Sequence, residues 1–491
     1  MTSSPKVLVV DLNNFASYPT LAIGSLVASL RNAEMDVTVL CPLSHDVPAM
    51  VRERQEGWKD QLQRWVFFST NPALNWSRHG VRALRSWWIS RPHPRVMQEV
   101  TRALEKKPDI LLLSVYLNHY PSCMEIGKLA AKHGIPVLLG GPVFNIERIT
   151  KEWLHVPGIT ALIGGEVDRT LPDLVRDTIA GKDLLKYEGV FYPDGRRSPT
   201  PAPLKDLSSL PVPDFTDFPW GAYPGRVIPA MAGRGCSWGR CKFCADVYTA
   251  NGRTFRTRAV TPMLDELVEL SKRHKSKNFI LLDIKLNSDV RMWRGLIENF
   301  QNRIPGAAWV ATVHVDQRPD NGLSKEDLLA ARESGLMRIN FGLESGSQAL
   351  LDKMDKGCKV ESNSHFITDA YDAGLSVRVS MMQGYPGETT EDLRMTIKFL
   401  QEHQLQLDRI RLSQFKAIPG TRFQEEFDRD PQSYPNVSSF SWDYRDARGK
   451  FRYNTASSRK YRRAKRQLLS IVHSINKRPL RPGAEEFDGL M

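Results

Sequence analysis

Short apolar runs alternate with amphipathic segments through the first third of the chain. The runs cover residues 6–11, 35–40, 108–114, 135–141 and 159–165. Runs this short and this apolar predict strands buried on both faces, and residues 18–31 between the first two predict a helix. Strands that alternate with helices are typical of a parallel, doubly wound sheet.

The ends of these predicted strands carry polar and glycine residues. A parallel sheet binds its ligand beyond the carboxyl ends of its strands, and glycine lets a large flat ligand approach the backbone closely. We therefore expect a binding crevice lined by Asn13, Ser114, Val115, Tyr116, Gly140, Gly141, Gly164 and Glu166.

Residues 44–105 form an insertion before the third strand. The insertion holds five tryptophans, at Trp58, Trp65, Trp76, Trp87 and Trp88. An aromatic lid over a ligand and a small helical subcore would both use them. We favour the subcore, because tryptophan mostly becomes buried for packing.

A proline-rich linker at residues 196–225 precedes a second region of alternating elements. Apolar runs at 227–232, 278–283, 309–314, 338–342, 376–382 and 409–414 predict strands, and 262–274, 325–333, 364–373 and 391–403 predict helices. These elements make about six βα units, a partial barrel whose chemistry belongs at the carboxyl ends of its strands. Apolar residues at helical spacing between 461 and 475 predict a further helix, docked on the barrel.

Three of the six cysteines, Cys236, Cys241 and Cys244, fall within nine residues just after the first of these strands. Three thiolates this close together can each bind one iron of a [4Fe–4S] cube and leave the fourth iron open for a substrate. Zinc is an alternative metal for these thiols. A closed structural zinc site needs a fourth protein ligand, however, and no second Cys or His pair follows at the required spacing. A disulfide would use only two of the three thiols.

The segment 233–244 resembles the cluster loop of the radical S-adenosylmethionine (radical SAM) enzymes. Their usual spacing is C-x3-C-x2-C, whereas this chain has C-x4-C-x2-C, and Trp238-Gly239 is the expected place of the extra residue. Residues 342–346, 384–389 and 417–421 resemble the motifs of the fourth, fifth and sixth strands of that family. The resemblance implies that S-adenosylmethionine is bound by Phe243, Gly342, Glu344, Ser345, Gly384, Pro386 and Ile418.

The first third resembles the cobalamin-binding domain that precedes the barrel in one branch of this family. Ser114 and the sequence Leu139-Gly-Gly-Pro142 match motifs after the third and fourth strands. The resemblance implies that the strand-end residues named above bind cobalamin. Where other cobalamin proteins have a cobalt-ligating histidine this chain has Asn13, so we expect no histidine on cobalt. His119 is the nearest rival, and we expect it on the surface.

The predicted fold class is α/β, with a doubly wound, Rossmann-like cobalamin-binding domain, a partial (β/α)6 radical SAM barrel and a small, mainly helical C-terminal segment. The predicted boundaries are 1–195 for the first domain, 196–225 for the linker, 226–425 for the barrel and 426–491 for the last segment. Residues 428–452 are rich in aromatic side chains and are expected to line the substrate entrance.

The implied activity is transfer of a methyl group from methylcobalamin to an unactivated carbon of a natural-product or peptide substrate. An external electron donor of the flavodoxin or ferredoxin type is implied as well. A rearrangement or cyclisation with the same cofactors is one alternative. RNA modification or RNA binding is another, and it would use residues 448–466, which hold nine Lys or Arg and no Asp or Glu. We favour a solvated basic helix face for that stretch.

Composition and the lack of long apolar runs indicate the cellular compartment and the state of the cysteines. The chain is 41% hydrophobic and 25% charged, with a net charge of +13. No apolar run reaches the ~20 residues that a membrane helix needs, and the first residues lack the pattern of a signal peptide. We therefore expect a cytoplasmic enzyme whose cysteines are thiols and cluster ligands rather than disulfides.

Overall fold

A computed structural model describes residues 4–13, 17–47, 54–69, 80, 81, 84, 91–246, 254–453 and 458–490. Trp76, Trp87 and Trp88 of the predicted insertion lie outside the described residues. Two sheets, each mainly parallel, follow each other along the chain. Residues 233–244, which we call the cysteine loop, come just after the first strand of the second sheet.

The first sheet has six strands in the order β2-β1-β3-β4-β5-β6. All neighbouring strands are parallel except β6, which runs antiparallel to β5 at the edge. The strands are β1 Lys6–Asp11, β2 Asp36–Leu40, β3 Ile110–Ser114, β4 Val137–Gly140, β5 Ala161–Ile163 and β6 Val190–Phe191. The helices are α1 Leu21–Asn32, α2 Trp58–Phe68, α3 Pro94–Glu105, α4 Tyr120–Lys132, α5 Glu147–Trp153 and α6 Leu171–Ile179.

Alternate residues of β1 explain why this sheet is covered on both faces. Val7 and Val9 are buried in one hydrophobic core, whereas Leu8 and Val10 are buried in a second core on the opposite face. Because successive side chains of a strand point to opposite faces, an unbroken apolar run needs helices on both sides of the sheet.

The insertion differs from the expected buried subcore. Trp58 and Trp65 lie on α2 with 70% and 39% of their surface exposed, so these two tryptophans do not build a packed interior. Residues 94–105 are not part of an insertion at all. They form the crossover helix α3, whose Val96 and Val100 are buried against the sheet.

The second sheet has six parallel strands in the order β14-β13-β12-β11-β10-β7. Its strands are β7 Val227–Ala230, β10 Asn278–Leu281, β11 Ala308–Val313, β12 Leu336–Glu344, β13 Ser376–Gln383 and β14 Arg409–Gln414, and the short strands β8 Gly233–Gly235 and β9 Phe255–Thr257 form a separate antiparallel pair. The helices are α7 Val260–His274, α8 Val290–Arg303, α9 Lys325–Glu333, α10 Gln348–Lys353, α11 Val360–Asp372 and α12 Thr390–Glu402. The predicted partial barrel and α/β class are confirmed, and α8 is a helix that the sequence pattern did not predict.

The last part of the chain covers the barrel. It consists of α13 Arg422–Arg429, a hairpin of β15 Val437–Asp443 and β16 Arg448–Tyr453, and α14 Arg459–Asn476. Helix α14 was expected from the apolar residues at helical spacing between 461 and 475, and the hairpin was not expected. Phe487 and Leu490 pack with Val227, Ile280 and Val310, so residues after α14 fill the barrel floor.

Candidate active site

A large cavity lies between the two sheets. Its volume is about 1070 Å³, at the upper end of the about 300–1,000 Å³ typical of ligand pockets. One wall is made by the carboxyl ends of β1, β3 and β4, and the opposite wall includes Met231, Arg234, Leu282 and Arg411 of the barrel. A ligand in this cavity would therefore contact both modules.

Most of the strand-end residues predicted to bind cobalamin line this cavity. They are Asn13, Ser114, Val115, Tyr116, Gly140, Gly141 and Glu166. Gly164 is not among the lining residues. A Cβ atom at Gly164 would lie 2.0 Å from the carbonyl oxygen of Phe144, so close backbone packing explains this glycine.

Gly140 and Gly141, at the end of β4, have different roles. A Cβ atom on Gly141 would lie 2.3 Å from the carbonyl oxygen of Val115, whereas one on Gly140 would meet no protein atom closer than 3.5 Å. Packing within the protein therefore requires glycine at 141 and not at 140. Gly140 borders the cavity, where the absence of a side chain leaves room for a ligand.

Histidine does not contribute to this cavity in the part of the chain that the structure describes. His119 is buried rather than on the surface as expected, and burial lowers its pKa to about 4. Its Nδ1 accepts a hydrogen bond from the backbone N–H of Tyr116 at 3.2 Å. That no histidine ligates cobalt stays a prediction.

Four charged residues join the first sheet to the start of the cysteine loop. Arg234 donates to both carboxylate oxygens of Asp168 at 2.8 and 2.9 Å, and Arg256 donates to both oxygens of Glu166 at 2.7 and 3.1 Å. Arg234 also lies 3.2 Å from Glu166. Burial would raise the pKa of Asp168, but Arg234 holds that pKa below its usual range. We call Glu166, Asp168, Arg234 and Arg256 the interdomain ion cluster.

The cysteine loop begins with β8 and is held by hydrogen bonds at both ends. Asp283, just after β10, accepts the backbone N–H groups of Ala232 at 3.0 Å and Gly233 at 2.7 Å. Burial raises the pKa of Asp283 to about 6. At the other end, the N–H of Lys242 donates to the carbonyl of Met354 at 2.9 Å. These contacts fix the loop between the barrel mouth and α10.

The extra residue between the first two cysteines has a defined place. Trp238 donates from Nε1 to the carbonyl of Asp355 at 2.8 Å, and its ring occupies the space where Gly357 would carry a Cβ atom. Gly239 has a φ of +57°, a conformation that glycine adopts readily. These contacts anchor the loop at Trp238, and Trp238-Gly239 stays the predicted place of the extra residue.

The three thiols of the loop are half-buried. No group of three or more His, Cys, Asp or Glu converges on a single ion position among the described residues. A four-iron cube needs only one cysteine on each of three irons. The assignment of Cys236, Cys241 and Cys244 as iron ligands stays a prediction, and a set of three soft thiolate donors suits that cluster.

A buried ion pair lies beside the cysteine loop. Lys356 Nζ is 3.6 Å from Glu344 Oε1. Burial raises the pKa of Glu344 against the opposing charge of Lys356. Burial disfavours the charged form of Lys356, yet Glu344 and the thiols of Cys241, Cys358 and Cys244 raise its pKa above the ordinary value. Lys356 thus places a positive charge near two of the loop cysteines, Cys241 and Cys244, and it was not among the residues predicted from the sequence.

Two of the residues predicted to bind S-adenosylmethionine, Gly342 and Phe243, lie beside this pair. A Cβ atom at Gly342 would lie within 2.7 Å of Lys356 Nζ and 2.5 Å of Glu344 Oε1, so glycine makes room for the pair. Glu344 ends β12 with a φ of +58°, a strained position for a residue other than glycine. Phe243 packs in one hydrophobic cluster with Tyr385 and Ala417, the neighbours of Gly384, Pro386 and Ile418.

Two of the predicted contacts have partners within the protein. The Ser345 hydroxyl lies 3.1 Å from the Thr396 hydroxyl and accepts the N–H of Ser347, so it helps to start α10. Glu388 accepts the N–H of Gly384 at 2.9 Å and the hydroxyl of Tyr461 from α14. Burial raises the pKa of Glu388 to about 7. This glutamate therefore shapes the turn that contains Gly384.

Replacing Glu344 with glutamine is expected to weaken S-adenosylmethionine binding by roughly tenfold to hundredfold, because a hydrogen bond to a charged group contributes about 1.5–3 kcal/mol. Equilibrium binding to the iron-loaded protein measures this effect, with iron content and thermal unfolding as checks on the fold. A dissociation constant that stays the same would restrict Glu344 to supporting Lys356.

Comparisons with known proteins agree with this geometry. Residues 231–400 match the radical SAM superfamily. An uncharacterized methyltransferase of Pyrococcus horikoshii is 25% identical over 67% of this chain and 71% of its own length. An anaerobic magnesium-protoporphyrin IX monomethyl ester cyclase of Rubrivivax gelatinosus is 29% identical over 55% of this chain, which spans about half (49%) of that enzyme. A cytidylyl-2-hydroxyethylphosphonate methyltransferase of Streptomyces wedmorensis is 26% identical over 42% of this chain and 41% of its own length.

Two solved enzymes share the fold across both modules. The cobalamin-dependent S-adenosylmethionine radical enzyme OxsB, with aqua-cobalamin and S-adenosylmethionine bound, superposes with a TM-score of 0.67 at 15% identity, over 92% of this chain and 64% of its own. The radical S-adenosylmethionine methyltransferase TsrM from Kitasatospora setae, with cobalamin and a [4Fe–4S] cluster bound, superposes with a TM-score of 0.63 at 16% identity, over 95% and 85% of the two chains.

The resemblance stated from the sequence is confirmed. The chain carries a radical SAM domain, which works with a [4Fe–4S] cluster and S-adenosylmethionine and needs a reductant and a substrate. Its fold is that of the cobalamin-dependent radical SAM enzymes. Among the helices within the described residues, none has both the length and the apolar character needed to cross a bilayer.

Proposed function

We propose that this protein is a cobalamin-dependent radical SAM methyltransferase that adds a methyl group to an unactivated carbon of a natural-product or peptide substrate. The observation that carries the proposal is the cavity of about 1070 Å³ that the strand ends of the first sheet share with the barrel. A methyl carrier and a radical source must both reach one substrate carbon. The cavity reaches Gly233 and Arg234 at the start of the cysteine loop, whereas the three cysteines and Glu344 are not among its lining residues.

The residues present suit both groups. Cys236, Cys241 and Cys244 would hold the cluster, and Glu344 and the turn at Gly384 would hold S-adenosylmethionine. Gly140 and Ser114 would border the cobalamin. When bound, the cluster supplies the electron that cleaves S-adenosylmethionine, and cobalamin supplies the methyl group.

The chain's own residues position these groups and keep water away. Asp283 fixes two backbone amides at the start of the cysteine loop. Lys356, paired with Glu344, places a buried positive charge near Cys241 and Cys244. Three members of the interdomain ion cluster, Glu166, Asp168 and Arg234, line the cavity between the sheets. Exclusion of water protects reactive intermediates from side reactions.

Of the three relatives reported above, two are named methyltransferases and one is named a cyclase. The cyclase keeps a second candidate function open, a cyclisation or rearrangement with the same cofactors. The two candidates differ in the mass of the product, because methyl transfer adds one methylene to the substrate and an isomerisation adds nothing.

Anaerobic reconstitution with iron, sulfide and cobalamin, followed by S-adenosylmethionine and a strong reductant, tests the proposal. We expect release of both 5′-deoxyadenosine and S-adenosylhomocysteine, because a radical methylase uses one S-adenosylmethionine for the radical and another to reload the methyl carrier. Release of 5′-deoxyadenosine alone would favour the cyclisation or rearrangement. A protein that does not retain cobalamin would contradict both candidates.

A further inference from the structure

The residues on both sides of the middle cysteine are hydrogen-bonded to the start of α13. The carbonyl of Arg240, which precedes Cys241, accepts a hydrogen bond from Nη1 of Arg422 at 2.6 Å. The carbonyl of Lys242, which follows Cys241, accepts the backbone N–H of Phe423 at 2.9 Å. Two consecutive residues of α13 therefore hold the cysteine loop immediately before and immediately after Cys241.

Arg422 has a further partner at the same place, the carboxylate of Asp355. Nη1 of Arg422 also donates to Oδ2 of Asp355 at 2.6 Å, and Nε of Arg240 lies 3.4 Å from the same oxygen. The backbone carbonyl of Asp355 accepts the indole N–H of Trp238. Asp355 and Arg422 together thus contact two of the four residues that separate the first two cysteines.

A second charged contact joins the loop to α13 one turn further along the helix. Nζ of Lys242 lies 2.7 Å from Oε2 of Glu426, and the hydroxyl of Tyr434 donates to that same oxygen at 3.0 Å. The side chains of Arg422, Asp355, Lys242 and Glu426 are only 20–27% exposed. Hydrogen bonds between charged groups are stronger than neutral ones, and partial burial strengthens them further.

The long first gap of the loop explains why such contacts are needed. Each residue added to an unconstrained loop brings additional backbone conformations. Four residues between Cys236 and Cys241 therefore leave the second cysteine less restricted by the chain itself than the usual three would. Contacts from outside the loop have to select one conformation, and α13 supplies them although it lies beyond residue 400, where the family match ends.

We infer that Arg422 is a positioning residue for the iron–sulfur cluster, because it holds the backbone beside Cys241 in one conformation through the Arg240 carbonyl and Asp355. The inference rests on the proposed function, since it takes the three loop cysteines as iron ligands. Arg422 acts through the loop and not on the substrate. Removal of a group that orients metal ligands commonly lowers metal affinity about 10–100-fold.

Arg422→Met tests this role, because methionine keeps much of the apolar stem and removes both hydrogen bonds. After anaerobic reconstitution with iron and sulfide, we expect the variant to release iron to a chelator at least about tenfold faster than wild type. The electron paramagnetic resonance spectrum of its reduced cluster should differ from wild type in its g values. Arg422→Lys should release iron at an intermediate rate, because a single nitrogen serves both acceptors and an ammonium group can replace it.

Arg429→Met is the matched control, because Arg429 is exposed on the same helix. It should keep the wild-type release rate and spectrum. All rates are compared at a temperature at which circular dichroism shows each protein to be folded. If Arg422→Met does not fold, Asp355→Asn takes its place and should also release iron faster, since asparagine tolerates the φ of +51° at that position and removes the charge.

The outcomes are distinct. A wild-type release rate and spectrum in Arg422→Met, or in the Asp355→Asn variant that replaces it, overturn the inference. An equal increase in Arg429→Met overturns it too, since general loosening of α13 would then account for the loss of iron. Wild type that forms no [4Fe–4S] cluster on reconstitution contradicts the proposed function itself.

Discussion

Replacing Cys236, Cys241 and Cys244 together with alanine is expected to abolish all cleavage of S-adenosylmethionine and to remove the brown colour of the reconstituted protein. Each thiolate is predicted to bind a different iron, so no set of remaining ligands can hold the cube. Iron and sulfide content, visible absorption and the yield of 5′-deoxyadenosine measure the effect.

The other three cysteines provide the control. Cys41 and Cys123 are buried in the cores of the first sheet, and Cys358 is buried near Lys356. Alanine at each of these positions should leave the iron content unchanged. The assignment is wrong if the triple variant of the loop retains a full cluster, or if Cys358→Ala alone loses it.

Gly235→Ala should reduce both cluster content and S-adenosylmethionine cleavage by about tenfold or more, because overpacking costs about 1–3 kcal/mol and a left-handed conformation a further ~1–2 kcal/mol. Gly235 precedes Cys236 with a φ of +89°. A Cβ atom there would lie 1.7 Å from the carbonyl oxygen of Thr254, on the segment that leads into β9. The pair β8–β9 must then separate, and the cysteine loop loses its base.

Gly181→Ala is the matched control for this substitution. Gly181 has a φ of +66° and no atom within 4 Å of the Cβ position, so alanine there incurs the conformational cost without the clash. It should lower thermal stability slightly and leave iron content intact. Equal losses in the two variants would mean that general destabilisation, and not the position of the loop, determines cluster content.

The order of strands and helices could be predicted because each apolar run is bounded by charged or turn residues. The alternation of Val7, Leu8, Val9 and Val10 between two cores follows from one strand's periodicity. The hairpin β15–β16 was not predicted, although its strands alternate polar residues with aromatic ones, a pattern typical of strands. Phe440 and Phe451 stack across the hairpin, and Phe451 also contacts Phe415, a partner that proximity in sequence does not reveal. Helix α8 was missed although its buried residues recur at helical spacing, at Met292, Trp293, Leu296 and Phe300, so the signal for this helix is present in the sequence.

The candidate site was predictable where its chemistry is local. Three cysteines within nine residues indicate a cluster wherever the chain folds. The roles of Lys356 and Asp283 follow only from their contacts with Glu344 and Gly233, which lie about 12 and 50 residues away in the sequence. Gly164 was wrongly expected to line the crevice. A glycine at a strand end looks the same in the sequence whether it makes room for a ligand or, as here, for the backbone of Phe144.

The interdomain ion cluster limits how this protein can be recombined with its relatives. Glu166 and Asp168 belong to the first sheet, whereas Arg234 and Arg256 flank the cysteine loop. A chimera that takes its first sheet from a homologue with other residues at 166 and 168 would leave two half-buried arginines without counterions beside the cluster. A domain swap with a relative therefore has to exchange all four of these residues together.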